Sequence, residues 1–253
     1  MKLEEFSQDN FEQASKRLVR SLTRGKTTSS QPKAILLGGQ SGAGKTTIHR
    51  IKQREFQGNI IIIDGDSYRS FHPNYLDLQE KYGKDSVDYI KVFSGKMVEY
   101  LVDQLSKQGY HLLIEGTLRT TEVPRKTAQL LATRGYQVSL ALIATKPELS
   151  YLSTLIRYEE LYVIDPSQAR ATLKAHHDGI VEHLVDNLRE LENDKIFNQI
   201  TIYQRDQSCI YDSRVDETSA AEVLHECLFG KWNKVEKEML KMGQERLREP
   251  GRD

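Results

Sequence analysis

The residues that most constrain this chain are Gly39-Gln40-Ser41-Gly42-Ala43-Gly44-Lys45-Thr46, a complete G-x-x-x-x-G-K-T phosphate-binding loop set directly after the apolar run Ala34-Ile35-Leu36-Leu37. The apolar run reads as a strand and residues 46–55 as a helix, so the loop has the strand-loop-helix setting that its chemistry requires. Its glycines let successive backbone N–H groups curl around the β- and γ-phosphates of a nucleotide, Lys45 adds positive charge, and the Thr46 hydroxyl can ligate Mg²⁺. The helix that follows points the positive end of its dipole at the same anion. Nucleotide contacts are therefore expected from Gly39, Gln40, Ser41, Gly42, Ala43, Gly44, Lys45, Thr46 and Thr47. The competing reading, a Gly-rich turn with a surface lysine, explains neither the ordered glycines nor the strand before them.

Five apolar runs of strand length occur, at 34–37, 60–64, 111–115, 138–144 and 199–203. Each is continuous rather than alternating, as in strands covered on both faces. Helical patterns at 46–55, 85–107, 122–134, 147–161 and 167–191 separate them, which implies right-handed crossovers and an α/β fold with a five-stranded, mainly parallel sheet. Phe11, Ala14, Leu18 and Leu22 make one stripe of an N-terminal helix. Its Lys16, Arg17, Arg20 and Arg24 read as a solvated face or, alternatively, as a nucleic-acid arm. Residues 67–84 show no clear periodicity, and a loop of that length inside a compact domain is usually functional or mobile. Two more helical stretches, 219–228 and 232–246, precede a polar tail.

At 253 residues one sizeable core suffices, so a single domain is expected: an N-terminal helix and linker (1–30), a catalytic core (33–212) and C-terminal helices with a tail (213–253). Lys plus Arg and Asp plus Glu balance at 36 each, leaving no global field to steer nucleic acid or an anionic membrane toward the protein. Cys209 and Cys227 lie far apart without metal-ligand spacing and are expected as packing residues in a reducing compartment. The charged residues 1–20 read as neither signal peptide nor anchor. The expectation is a soluble, cytoplasmic protein with no direct nucleic-acid or membrane partner.

Two apolar runs end in acids, Ile60-Ile61-Ile62-Ile63-Asp64-Gly65-Asp66 and Leu112-Leu113-Ile114-Glu115. In a parallel sheet the carboxyl ends of neighbouring strands face the same crevice as the loop. Asp66, past the turn at Gly65, can accept the proton of an attacking hydroxyl or orient a water; alternatively both aspartates cap backbone N–H groups. Glu115 reads as a metal-water ligand, a grip on a substrate hydroxyl, or an ordinary strand terminus. Arg157 and Arg170 flank a helix-turn-helix after the fourth strand and suit a lid that clamps phosphates, although a solvated surface role competes. Arg119 follows a strand into the crevice. His176 and His177 fall on a long charged helix and are expected on a surface face, and no His/Cys cluster suggests zinc.

Three readings fit these residues: a small-molecule kinase, a nucleotide-driven switch, and a nucleotide-binding scaffold. Asp66 together with Arg157 and Arg170 favours the kinase.

With these motifs assembled, the chain resembles the zeta toxins, the toxin halves of bacterial toxin–antitoxin pairs. The resemblance runs from the N-terminal helix to about Asp212 and is carried by the loop Gly39–Thr46, by Ile63-Asp64-Gly65-Asp66, by Ile114-Glu115-Gly116-Thr117-Leu118-Arg119 and by the spacing of the two lid arginines. It implies a P-loop kinase-like fold with a helical lid and an ATP-dependent kinase acting on the 3′-hydroxyl of the amino sugar of UDP-N-acetylglucosamine, which blocks peptidoglycan synthesis. By the same resemblance Lys45 and Thr46 are nucleotide and metal ligands, Asp66 is the base, and Arg157 and Arg170 stabilise the transferring phosphoryl group. Glu99, Glu115, Thr117, Arg119 and Thr127 become substrate-binding positions. It further implies an antitoxin whose helix occludes the ATP site in a two-plus-two heterotetramer. A phosphotransferase for another small hydroxyl compound and a regulatory ATP-binding protein remain the alternatives.

Overall fold

The computed structural model describes residues 2–165, 169 and 171–248. Six strands, β1 (Lys33–Gly38), β2 (Ile61–Ile63), β3 (Leu112–Glu115), β4 (Gln137–Ile143), β5 (Gln199–Tyr203) and β6 (Cys209–Asp212), form one sheet in the order β2-β3-β1-β4-β5-β6. The first five are mutually parallel, with β1 in register against β3 (Leu36 opposite Ile114) and β4 (Leu36 opposite Leu140). The expected α/β architecture is present, with one strand more than the five expected. β6 returns antiparallel along β5 through the tight turn in which Gln204 N–H donates to the Ser208 carbonyl at 2.9 Å. It lies at the sheet edge and buries only Tyr211 well, so it has no continuous apolar run to announce it.

Successive side chains of β1 go to opposite faces, which is why the run is apolar throughout. Ala34 and Leu36 join the larger core with Ile61, Ile63, Leu112 and Ile114, while Ile35 and Leu37 join a second core with Leu113, Ala141 and Ile143. Over the second face lies α2 (Thr46–Glu55), whose Ile48 is fully buried. The first face is covered by α1 (Gln8–Thr23), α4 (Ser86–Lys107), α5 (Glu122–Thr133), α7 (Lys174–Asn193) and α8 (Ala220–Phe229). α1 begins at a capping box, in which the Ser7 hydroxyl accepts from Asn10 N–H at 3.1 Å and the Asn10 side chain accepts from Ser7 N–H. Its Phe11 meets Phe93 of α4 edge-to-face at 5.7 Å, and Phe93 is completely buried. Truncating such a residue to Ala costs about 3–5 kcal/mol.

The aperiodic stretch 67–84 is folded. A 3₁₀ helix occupies Gly65–Phe71 and a short helix, α3, Tyr75–Tyr82. Two turns are too few for a visible period, and α3 is held by tertiary contacts instead: Tyr75 and Leu78 pack on Ile90, and Asn74 Nδ2 donates to the Leu3 carbonyl at 2.9 Å. After β4, α6 runs from Pro147 to Ile164. The helix expected from 167 is described as α7 from Lys174 onward: residues 171–173 have no regular structure and Leu173 has extended backbone, while 167, 168 and 170 lie outside the described residues. At the C-terminal end Glu192 accepts from the Ser219 hydroxyl (2.6 Å) and from Ala220 N–H (2.7 Å), which anchors α8 to α7. α9 (Lys234–Arg248) packs chiefly on α6 and has no buried residue. Among the described residues no helix is long and apolar enough to cross a membrane.

Candidate active site

The loop between β1 and α2 adopts left-handed backbone at Gly39, Gly42 and Gly44. Gly42 also lies against α6 so closely that a Cβ there would sit 2.0 Å from the Ser150 carbonyl oxygen. The loop is bolted in from behind. Gln40, fully buried, donates through Nε2 to the Thr145 carbonyl (2.7 Å) and to Ser150 Oγ (3.2 Å), and Thr145 Oγ1 donates to the Ala43 carbonyl at 2.8 Å. Ser150 Oγ in turn lies 2.8 Å from His177 Nε2, whose other ring nitrogen is 3.2 Å from Asp178. With Gln40 and the Ala43 side chain turned inward, those two residues can offer a nucleotide only their backbone.

Arg205 makes the remaining attachment. Its guanidinium donates to the Gly42 and Ala43 carbonyls, the latter at 3.1 Å, and to Ser153 Oγ of α6 at 2.9 Å. Burial pulls the Arg205 pKa downward, but an arginine stays charged in proteins. With the Gly42 and Ala43 carbonyls bonded by Arg205 and Thr145, the loop is a preset cradle; its Ala43 and Thr47 N–H groups donate to the Gln40 and Gly44 carbonyls, which leaves an anion to the other N–H groups of the loop.

Ser41, Gly42, Gly44, Lys45, Thr46 and Thr47 line a cavity of about 360 Å³ together with Asp66, Glu115, Ser153, Arg157 and Arg205. The Lys45 ammonium rests on the loop's own carbonyls, 3.0 Å from Gly39 and 3.3 Å from Gln40, and 3.6 Å from Glu115. Glu115 also lies 2.8 Å from His49 Nε2, an ion-pair distance without hydrogen-bond alignment. Burial pushes the Glu115 carboxyl up, but His49 and the Lys45 charge outweigh it and hold it below the ordinary carboxylate range. Asp64 is a cap, accepting from Asp66 N–H (3.0 Å) and the Ser67 hydroxyl (2.7 Å), as the turn reading of that tripeptide anticipated for it. Asp66 is not spent on capping: its side chain, 55% exposed, reaches the cavity and pairs with Arg69 at 2.5 Å.

The other expected substrate positions stand outside this cavity. Glu99 is exposed on α4, Thr127 is half-buried on α5, and Thr117 and Arg119 flank Leu118 in the loop after β3. Leu118 has φ +58°, strain of about 1–3 kcal/mol for such a residue. Its buried side chain and the bond from Asn187 Nδ2 to its carbonyl, 2.9 Å, hold it there, which fixes the residues on either side. Arg119 is within electrostatic reach of His176, as are Arg69, Asp88 and Asp66. Partial desolvation by neighbouring chain, although the residue as a whole is exposed, and then the Arg119 charge draw the His176 pKa down. Arg170 lies outside the described residues.

Sequence reasoning overlooked Arg205, Ser153 and His49. Each had a positional signal: Arg205 follows the carboxyl end of β5, Ser153 precedes Arg157 by one helical turn on α6, and His49 follows Lys45 by one turn on α2. Two expectations are corrected. His177 is not on a surface face but 1% exposed, because it faces α6 and Ser150, whereas neighbouring His176 is exposed. Cys227 packs against the larger core, but Cys209, at the edge strand, is exposed.

The sequence profile described as Zeta toxin matches residues 18–216. The chain is 69% identical over 249 residues to Toxin PezT of Streptococcus pneumoniae serotype 4, covering 98% of both proteins. Toxin zeta of Streptococcus pyogenes is 41% identical over 208 residues, covering 82% of this chain and 72% of that protein. Among solved structures, one from the PezAT chromosomal toxin–antitoxin system of S. pneumoniae superposes with a TM-score of 0.90 at 65% identity, covering 98% of both chains.

Proposed function

The chain belongs to the zeta toxin family, and we propose that it is the toxin of a toxin–antitoxin pair, an ATP-dependent kinase of the 3′-hydroxyl of UDP-N-acetylglucosamine. The observation that carries this reading is one cavity lined by a phosphate loop, two carboxylates from neighbouring strand ends, and Arg157. A hydrolytic switch needs no second carboxylate wall, and a scaffold needs no acid aimed at the phosphates.

In this mechanism the loop N–H groups and the start of α2 take the β- and γ-phosphates, and Lys45 moves from the loop carbonyls onto them. Asp66, steadied by Arg69, accepts the proton of the sugar hydroxyl as it attacks the γ-phosphorus. Arg157, joined by Arg170 of the lid, neutralises charge growing on the transferred group. Glu115 stands where it can hold a sugar hydroxyl, while Glu99, Thr117, Arg119 and Thr127 form the remainder of the acceptor site. Arg119, with Arg69 in the same electrostatic neighbourhood, suits the diphosphate.

Among the described residues no group of three or more His, Cys, Asp or Glu side chains could hold a metal ion unaided. The donors present are hard oxygens, the Thr46 hydroxyl with Asp66 and Glu115 in the same cavity, and they fit Mg²⁺ arriving on the phosphates. A magnesium ion held there would supply neutralisation of the phosphate charge.

The relatives' names support an antitoxin partner. A helix laid over Lys45 and the loop would occlude the phosphate seat, in a two-plus-two heterotetramer, and peptidoglycan synthesis in the cytoplasm would be the process blocked when that partner is lost. The test is ADP release with and without a panel of UDP-sugars. Slow release alone and stoichiometric release with the UDP-amino sugar is expected. Equal release without any acceptor would favour a switch, transfer to a different hydroxyl compound another phosphotransferase, and no release at all a regulatory ATP binder.

A further inference from the structure

Glu115 ends β3 with a side chain that is only 19% exposed, and its two oxygens face different basic groups at the start of α2: Lys45 Nζ is 3.6 Å from Oε1 and His49 Nε2 is 2.8 Å from Oε2. Lys45 and His49 stand one helical turn apart and so share a face, with the His49 N–H donating to the Lys45 carbonyl at 3.3 Å. We propose that His49 is a positioning residue for the acceptor: it holds Glu115 Oε2 so that Oε1, vacated by Lys45 when the nucleotide binds, is presented to the acceptor hydroxyl. This rests on the reading that Lys45 takes the phosphates and Glu115 grips the acceptor.

The His49 side chain is 15% exposed, and its buried Nε2 has no aligned hydrogen bond among the described residues. A buried ring nitrogen is ordinarily satisfied, and the group that faces this one is the Glu115 carboxylate. In the nucleotide-free protein that carboxylate is shared with Lys45. Once Lys45 turns to the phosphates, Glu115 is a largely buried anion in the same cavity as other anions, and an unpaired buried charge is costly. Without a second partner the carboxylate would follow Lys45 or swing to another donor, and the acceptor would lose its grip. His49 is the partner that stays, because it is fixed on α2 and does not line the phosphate cavity. With its proton on Nε2 it acts on the acceptor only through Glu115. The same geometry sets an order of binding: Oε1 is free for the acceptor only after the nucleotide has drawn Lys45 away.

The experiment is steady-state transfer from ATP to UDP-N-acetylglucosamine by the full chain, His49→Phe and His49→Gln, with calorimetry of ATP binding to each. Phe fills the space of the ring without a donor, whereas Gln sets an amide N–H near the place of Nε2. His49→Phe is expected to raise KM for the UDP-sugar about tenfold while kcat and ATP affinity stay within about twofold of the parent, and His49→Gln to recover most of the loss. A parental KM in His49→Phe would overturn the proposal. Equal loss in both variants would do so too, since it marks a packing role, as would a fall in ATP affinity that matches the rise in KM. A second measurement needs no variant: the parent should bind the UDP-sugar about tenfold or more tightly with a non-hydrolysable ATP analogue than without it, and equal binding would overturn the release of Oε1. A parent that binds ATP but transfers nothing to the UDP-sugar would overturn the acceptor reading and this inference with it, whereas an active parent with an unaffected His49→Phe overturns the inference alone.

Discussion

Gly42→Ala tests whether the phosphate loop is wedged against α6 as tightly as the geometry says. At φ +73° an alanine adopts left-handed backbone at a cost of about 1–2 kcal/mol. The added Cβ would also sit 2.0 Å from the Ser150 carbonyl oxygen and 2.7 Å from Thr154 Cγ2. That carbonyl cannot easily retreat, because it belongs to the first turns of α6 and its own residue is tied to Gln40 and His177. Overpacking of this kind adds about 1–3 kcal/mol, so the total is about 2–5 kcal/mol. Gly25→Ala is the matched control: its φ is +70° and nothing lies within 4 Å, so only the conformational cost applies. Urea unfolding of both variants gives the difference, and ATP titration of the folded proteins shows whether the loop moved. Gly42→Ala should unfold at lower urea than Gly25→Ala and bind ATP more weakly than the parent, since the strain is relieved only by shifting the cradle. Equal midpoints for the two variants, with parental ATP affinity in both, would refute the wedge.

Asp66→Thr should keep the fold and ATP binding, since the Asp66 side chain is 55% exposed and its pair with the more buried Arg69 is peripheral to the core, while phosphoryl transfer falls by about 10²–10⁴. Full growth arrest on expressing that variant would contradict its role as base. Lys45→Ala should lose nucleotide affinity, and calorimetry showing unchanged ATP binding would remove Lys45 from the site. Burial draws His177 below its ordinary pKa, with Asp178 only partly opposing, and burial does the same to His72 and His111. Depressed histidines contribute stability that is present above the unfolded value, about 6.5, and lost as pH falls through it toward the lower folded values. Melting temperature should therefore drop between about pH 7 and pH 5, with a shallower slope in His177→Gln; an unchanged slope there would show that His177 is not a source of the loss.

The parallel sheet was legible because β1 to β5 are buried on both faces, and the loop because its letters and its setting agree. What escaped was held by tertiary contacts rather than by pattern. β6 is a one-sided edge strand, and α3 spans two turns whose stability comes from Tyr75 and Leu78 on Ile90. The cavity gathered Asp66, Glu115 and Arg157 as expected, since strand ends and a following helix face the same crevice. Arg205 was invisible for a different reason. An arginine is ordinarily a solvated residue, and only the folded loop shows that its guanidinium bonds the carbonyls of Gly42 and Ala43. His177 misled in the same way, since its apolar-side burial depends on where α6 lies.

The most direct measurement is mass spectrometry of UDP-N-acetylglucosamine after incubation with the purified protein, ATP and Mg²⁺, with Asp66→Thr in parallel. A bisubstrate site built from Gly39–Thr46, Asp66 and Glu115 predicts a product heavier by one phosphoryl group on the sugar with the parent and unmodified UDP-sugar with the variant. An unmodified UDP-sugar with the parent, while ATP is consumed or another acceptor gains the phosphoryl group, would contradict it.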